Sequence, residues 1–486
     1  MEMGIEESIE NGYNRVQEDT RGPLIHHERD ECCYGGVDGA RKSSKEHLWM
    51  VYFSTFIAVC GSCEFGSSIG FSSPIQAAIR KDLHLPLTEY SLFASILTIG
   101  AITSGMIADF IGWKGAMRMS AIFCVIGWLA IYFGKGALPL DAGRLSLGYG
   151  VGIFSYVAPV FIAEIAPTNL RGGLTAISQL MFAIGLSGYL IIETVLTWRT
   201  LALVGLIPCL ILLPGLFFIP ESPIWLAKMS HHKEFYAALQ RLRGKDADIS
   251  NEAADIQDNI EALQKLPKAK TLDLYQRQYL RLVVITVGLM FFQQFGGLSG
   301  VCFYVSEIFV SAGFPSNAGT ISYACIQITV AILGASLIDK AGRRPLLLVS
   351  ASGLVLGCIL VGISFYLKAH ELATTGAPLL ALIGLQVFIG SFSIGMGIIP
   401  SVIMSEIFPI NVKGAGGSLA TLVNWIGAWV VSYSFNFLMS WSSYGTFILF
   451  AITNALAILF IAKLVPETKG RTLEQIQSAI NNVSEN

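Results

Sequence analysis

The chain has 486 residues, 53% of them hydrophobic and 14% charged, with a formal net charge of -2 and a mean hydropathy of +0.60. Ordinary soluble domains carry about 25% charged residues, so this composition excludes a water-soluble globular chain, and the near-neutral balance argues against a nucleic-acid partner. Cys60, Cys124, Cys209, Cys325 and Cys358 sit inside apolar runs, which marks them as reduced packing residues; Cys32–Cys33 is too bare a pair for a metal site.

Residues 1–47 form a polar, acid-rich tail, predicted to be disordered. No cleavable signal precedes the first apolar run, so that run itself directs insertion. Twelve runs long enough to cross a membrane follow, at 48–70, 89–108, 116–134, 143–163, 172–193, 200–219, 282–310, 317–338, 345–367, 377–405, 414–437 and 442–464. The longest polar interruption, "KEFYAALQRLRG" to "NEAADIQDNIEALQKL", reads as helical. The layout is therefore a six-helix half (48–220), a helical linker (221–280), a second six-helix half (281–465) and a short tail (466–486). Lys114, Arg118, Arg171, Lys340, Arg343, Arg344, Lys413, Lys469 and Arg471 share one face with the linker. The opposite loops hold fewer basic residues (Arg80, Lys81, Lys135, Arg199, Lys368). Tails and linker are thereby placed in the cytosol.

The halves repeat each other. "ADFIGWKGAM" and "IDKAGRRPLLL" share one spacing, Asp109–Gly112–Lys114 and Asp339–Gly342–Arg344, in loops joining spans 2 to 3 and 8 to 9. Two parallel repeats about an axis along the membrane normal are the architecture of a rocking transporter. Glu164 precedes Arg171 by seven residues as Glu406 precedes Lys413, and Glu221 ("PESP") matches Glu467 ("PETK"). With Arg343, these residues predict one ionic cluster per half, together clamping the cytosolic ends when that side is shut. Each exposed pair is worth only about 0–1 kcal/mol, yet a network can bias two states a few kcal/mol apart.

With "GRLSLGYGVG", "PVFIAEIAP", "PESPIWL", "QQFGGLSG", "DKAGRRP", "SEIFP" and "VPETKGRTLEQIQ", residues 48–478 resemble the sugar-porter family of the major facilitator superfamily. "SCEFGSSIGFSSP", "LQRLRGKDADIS" and "IPSVIMSEIFPINVKG" resemble its plant early-response-to-dehydration group of monosaccharide transporters. The resemblance implies an all-α membrane fold of twelve helices in two pseudo-symmetric halves. It also implies passive or proton-linked movement of hexoses such as glucose, often across the vacuolar membrane. A pyranose needs amides and an aromatic at membrane depth, without fixed charge. By family position Gln179, Gln293, Gln294, Gln327, Asn424 and Trp425 are the sugar-binding residues, although any single buried amide can instead bond a neighbouring helix. Ser299 and Ser401 take two further sugar-binding positions by family position, where Asn and Trp are usual; the chain also departs from the family pattern at Ile224 and Trp113 (each usually Arg), and in a second span about one turn short.

Proton-coupled relatives carry an Asp where this chain has Ser68, which favours passive diffusion. Glu64 stands one turn earlier on the same helical face, and an intramembrane carboxylate is a functional candidate. Arg144 resembles the family's Arg partner, so Glu64 facing Arg144 would titrate; otherwise Glu64 is a permanently paired structural residue. The acidic stretch before Leu24–Ile25 is either a relaxed vacuolar sorting signal or incidental, leaving the plasma membrane as the alternative location. No enzyme constellation, cofactor or metal spacing is present. Expected partners are the sugar, the bilayer and possible protons, with the chain a monomer. From a different class, the alternative is a sugar-binding sensor that no longer transports, motivated by Ser299 and Ser401.

Overall fold

The computed structural model describes residues 48–104, 111–167, 169–265, 274, 276–372, 376–470 and 475. They fold as α-helices, and the helices make twelve spans in two groups of six. Spans 1 to 6 are Trp49–Gly70, Leu87–Thr103, Trp113–Phe133, Ala137–Ile165, Arg171–Ile192 and the pair Trp198–Val204 with Leu206–Phe218. Spans 7 to 12 are Arg277–Phe295 with Leu298–Ala312, Ser316–Ala341, Arg343–Ala369, Ala377–Ile394 with Ile399–Ile407, Ile410–Trp441 and Ser443–Leu464. Among the described residues ten helices are long and apolar enough to cross a membrane, and Leu87–Thr103 is a shorter apolar helix. The remaining span, Trp49–Gly70, carries Ser, Thr, Cys and Glu along its length, the price of placing polar groups at membrane depth.

Lipid is as apolar as leucine, so close backbone approach holds such helices together. At Gly148 a Cβ would lie 2.0 Å from the Leu97 carbonyl oxygen, and at Gly66 one would lie 2.0 Å from that of Phe182. Spans 2 and 4, and spans 1 and 5, therefore meet backbone to backbone, and any larger residue would force them apart. Within the first group span 3 also packs on span 4; within the second, span 9 packs on spans 10 and 12. The groups meet each other chiefly through spans 5 and 8 and spans 2 and 11.

Spans 7 and 10 are continuous as apolar runs but broken as helices. The first break is Gly296–Gly297, where Gly297 has φ +100 and Phe450 fills the space a side chain would need. The second runs from Gly395 to Ile398. Irregular backbone is tolerated at membrane depth only where protein groups satisfy it. Asn454 Nδ2 donates to the Gly296 carbonyl at 3.0 Å, and Gln293 Nε2 donates to Met396 O at 2.6 Å and Gly397 O at 3.2 Å.

The linker forms helices Pro223–Lys228, His232–Arg243 and Ser250–Lys265. Ser222 caps the first, with Pro223 in its opening turn. Arg241 donates to the Phe218 carbonyl at 2.6 Å and Arg243 to that of Ile165 at 3.0 Å, so the second helix caps the ends of spans 6 and 4.

Candidate functional site

The break in span 7 curls the chain so that Ser299 Oγ donates to Gln294 Oε1 at 2.7 Å. Gln294 Nε2 in turn donates to Asn424 Oδ1 of span 11 at 2.8 Å. Gln294 and Ser299 are buried, Asn424 is half-buried, and Trp425 beside it faces Phe65 of span 1 with ring centroids 6.1 Å apart. Phe65 also meets Phe182 of span 5, at 4.6 Å. After these bonds the Asn424 amide keeps both N–H groups and Gln294 keeps one. Donors beside aromatic faces, with no fixed charge, suit a polyhydroxylated ring.

The other expected amides divide. Gln327 accepts from Ser187 Oγ of span 5 at 3.2 Å, joining the two groups. Gln293 is committed to the broken backbone of span 10 instead of facing the amide cluster. Gln179 and Ser401 are exposed, on the linker-side halves of spans 5 and 10. Phe65, Phe182 and Ser187 were not legible as site residues; only the adjacency of Phe65 to Glu64 hinted at its depth.

Glu64 and Arg144 do not face each other. Both are fully buried, but Glu64 Oε1 accepts from Trp128 Nε1 at 2.6 Å and from Ser68 Oγ at 3.4 Å. Arg144 donates to the Ser68 carbonyl at 2.8 Å and to Ser72 Oγ. Its guanidinium carbon lies over the rings of Phe93, at 5.2 Å, and Phe71, at 5.9 Å. Among the described residues the two form no ion pair. Ser68 stands between them, its hydroxyl on Glu64 and its carbonyl on Arg144, and spans 1, 3 and 4 turn the two side chains toward different neighbours.

At the linker end the internal repeat appears in atomic detail. Gly112 (φ +79) and Gly342 (φ +84) adopt the same left-handed turn before spans 3 and 9, a backbone that glycine accepts without strain. Over each turn sits a carboxylate: Glu221 accepts the Lys114 backbone N–H at 3.1 Å, and Glu467 accepts those of Arg343 and Arg344 at 3.0 and 3.1 Å. Each anion thereby caps the positive end of a helix. Burial pushes the Glu221 carboxyl above its ordinary range, against the pull of these N–H donors. Burial acts upward on Glu467 too, but the N–H groups of Lys469, Arg343, Arg344 and Thr468 together hold it below that range.

The second carboxylate of each cluster is held differently. Glu406 accepts from Arg343 Nη2 at 3.0 Å. Its counterpart Glu164 accepts from the Trp113 indole N–H at 2.7 Å and from Ser222 Oγ. Trp113, a departure from the family pattern, thus supplies the donor that Arg343 supplies in the other group. Lys114 Nζ and Arg344 Nη2 bond carbonyls near the ends of spans 6 and 12, Ile219 at 2.7 Å and Ala462 at 2.5 Å. Arg171 and Lys413, expected within the clusters, are exposed and join no carboxylate among the described residues. Asp109 lies outside the described residues, as does the side chain of Asp339.

Between the groups, bonds gather away from the linker. Ser306 N–H donates to Ser73 Oγ at 2.9 Å, and Asn436 Nδ2 donates to Ser91 Oγ at 2.9 Å. With Ser187–Gln327, these tie the turn after span 1 to span 7, span 2 to span 11 and span 5 to span 8. Among the described residues no hydrogen bond joins the two groups at the linker end; the ionic clusters there stay within their own group.

Two six-span groups meeting around broken helices and an uncharged amide–aromatic site have the build of a secondary transporter. The chain belongs to the sugar transporter family: residues 54–480 match the family model described as sugar (and other) transporter. It is 62% identical over 443 residues to sugar transporter ERD6-like 7 of Arabidopsis thaliana, covering 90% of this chain and 96% of that relative. It is 58% identical over 487 residues to sugar transporter ERD6-like 16 of the same plant, covering 98% and 99%. Its fold is similar to the inward open conformation of the xylose transporter XylE from E. coli, with a TM-score of 0.74 at 24% identity, over 88% of this chain and 99% of that one. The chain is therefore an integral, multi-pass membrane transporter and not an enzyme, and nothing in these likenesses supports a sensor.

Proposed function

We infer that the chain moves monosaccharides, hexoses such as glucose, across a membrane by alternating access, and that it does so passively. The observation that carries the reading is the Gln294–Ser299–Asn424 cluster beside Trp425 and Phe65, uncharged and contributed by both groups. Sugar hydroxyls would take up its spare donors, and the apolar ring face would lie on the aromatics. Passive movement is supported by Arg144, whose bonds go to a carbonyl and a hydroxyl, and by Glu64, which sits among spans of one group and away from the seam. Coupling requires that protonation change which conformation is preferred, and a carboxylate packed inside one rigid group has no differential contact to offer.

The excess of basic residues at the linker end favours a cytosolic linker and tails. In that orientation the hydrogen bonds between the two groups lie toward the outer or lumenal side. The vacuolar membrane is the favoured location, on the strength of the family resemblance and the acidic tail before Leu24–Ile25. Labelled-glucose flux in proteoliposomes, with and without an imposed pH gradient, tests the reading. Saturable exchange that equilibrates and ignores the gradient is expected. Accumulation driven by the gradient would replace passive movement with proton coupling, and the absence of any flux or counterflow would overturn transport of hexose.

A further inference from the structure

Glu64 leaves a question that sugar movement does not answer. Its Oε1 is held by Trp128, but its Oε2 has no hydrogen-bond partner although the residue is fully buried. A buried, unsatisfied carboxylate oxygen is costly unless something completes it. Two sulfurs lie close by. Cys124 of span 3 and Cys209 of span 6, both free thiols and both buried, bring their Sγ atoms within 4.8 Å of each other and of a Glu64 carboxylate oxygen. Cys60, also buried, lies one turn before Glu64 on the same face of span 1.

We propose that Glu64, Cys124 and Cys209 form a binding site for a thiophilic divalent cation of the zinc and cadmium class, bridging spans 1, 3 and 6. The donor set suits such an ion: two sulfurs and a carboxylate oxygen are ligands of a tetrahedral centre with bonds of about 2.0–2.3 Å. Those bonds place ligand atoms about 4 Å apart or less, so the site closes by side-chain rotation of under about 1 Å per donor. Trp128 acts as the outer support that orients the carboxylate, leaving Oε2 for the ion. Both thiols give up their protons on binding, as does the Glu64 carboxyl where it carries one, so the ion exchanges for two protons or three. Two thiolates, one carboxylate and a divalent ion sum to one negative charge. Arg144 offsets it: fully buried and without a carboxylate partner among the described residues, it bonds the carbonyl of Ser68, whose hydroxyl reaches Glu64. All three ligand spans belong to the first six-span group, so a bound ion would stiffen that group without crossing the seam.

Cd2+ is the probe, titrated into the full-length chain in nanodiscs and followed by its thiolate-to-metal ultraviolet absorption. The tail pair Cys32–Cys33 is removed as a competitor by C32S/C33S. In that background one equivalent is expected to bind, with affinity falling at least tenfold in Cys124→Ser, Cys209→Ser and Glu64→Gln and unchanged in Cys358→Ser, which lies in the other group. Because a core variant can lose binding by misfolding, X-ray absorption on the C32S/C33S protein supplies a reading without any change at the site: a shell of two sulfurs with oxygen is expected. Loss of the band in C32S/C33S, an all-oxygen shell, or affinity equal to the C32S/C33S parent's in the Cys124→Ser and Cys209→Ser variants would overturn the site.

Discussion

At the residue scale, neighbouring amides of one motif have separate tasks. Gln294 joins the uncharged cluster, whereas Gln293 satisfies carbonyls released by the break in span 10. Gln294→Ala is expected to weaken glucose binding by about 1–3 kcal/mol, since a sugar hydroxyl loses its partner. Gln293→Ala leaves main-chain carbonyls unpaired and should act mainly on thermal stability. Equal loss of affinity in both variants, measured by equilibrium binding, would mean that Gln293 also touches the sugar. The same separation explains what the sequence conveyed. Residue type and depth marked both glutamines as important, but which carbonyls come free depends on a helix break several residues long in another span. Trp113 was hidden for a related reason: an indole N–H can replace a guanidinium only when the neighbouring backbone turns it toward the carboxylate. Trp113→Phe should cost about 0.5–1.5 kcal/mol by leaving Glu164 with the Ser222 hydroxyl as its donor among the described residues, while Trp113→Arg should retain most of the stability. A melting midpoint that is the same in Trp113→Phe as in the parent would sever this link.

At the element scale, the paired helix caps give a test with opposite signs from equivalent positions. Glutamine mimics the neutral acid, so each Glu→Gln variant should match its parent at low pH, where the carboxyl is protonated in folded and unfolded chains alike. Glu467 is held below its ordinary range, so its stabilisation is present above the unfolded value of about 4.3 and is lost as pH falls through the lower folded value. Glu467→Gln should therefore be less stable than the parent at pH 7. Glu221 is held above its ordinary range by burial. Its favourable, neutral form is lost as pH rises through the folded value, so Glu221→Gln should be the more stable protein at pH 7. Melting curves of both variants at pH 7, and at an acid pH below the folded value of Glu467, check this, and a shared sign at pH 7 would refute the assigned environments. The repeat itself was legible because a loop of fixed length carries Gly, a basic residue and a distant Glu in register. The separation of Glu64 from Arg144 was not, because helical spacing fixes a face of span 1 without saying which neighbour that face meets.

At the scale of the whole molecule, the seam between the two groups is asymmetric. Ser73–Ser306, Ser91–Asn436 and Ser187–Gln327 are neutral hydrogen bonds between groups, while among the described residues the Arg343–Glu406 and Lys114–Glu221 bonds at the other end lie within one group each. A state closed by neutral bonds is weakly held. Each is worth about 0.5–1.5 kcal/mol net, and two states of a rocking carrier need differ by only a few kcal/mol. Removing Asn436 Nδ2 and Ser73 Oγ together should therefore shift the population by roughly tenfold, because 1.4 kcal/mol is a factor of ten in an equilibrium constant. Ser73→Ala/Asn436→Ala should expose the far side. A cysteine introduced on the far-side half of span 7 should then react faster with a membrane-impermeant maleimide, and one on the linker-side half of span 5 more slowly. The opposite changes at the two ends distinguish a rocking motion from simple loosening, which would raise both rates. They also distinguish it from a merely structural role, in which both rates would stay at the parent's values and the melting midpoint alone would fall. Either of those patterns would show that these bonds do not set the balance between the two openings.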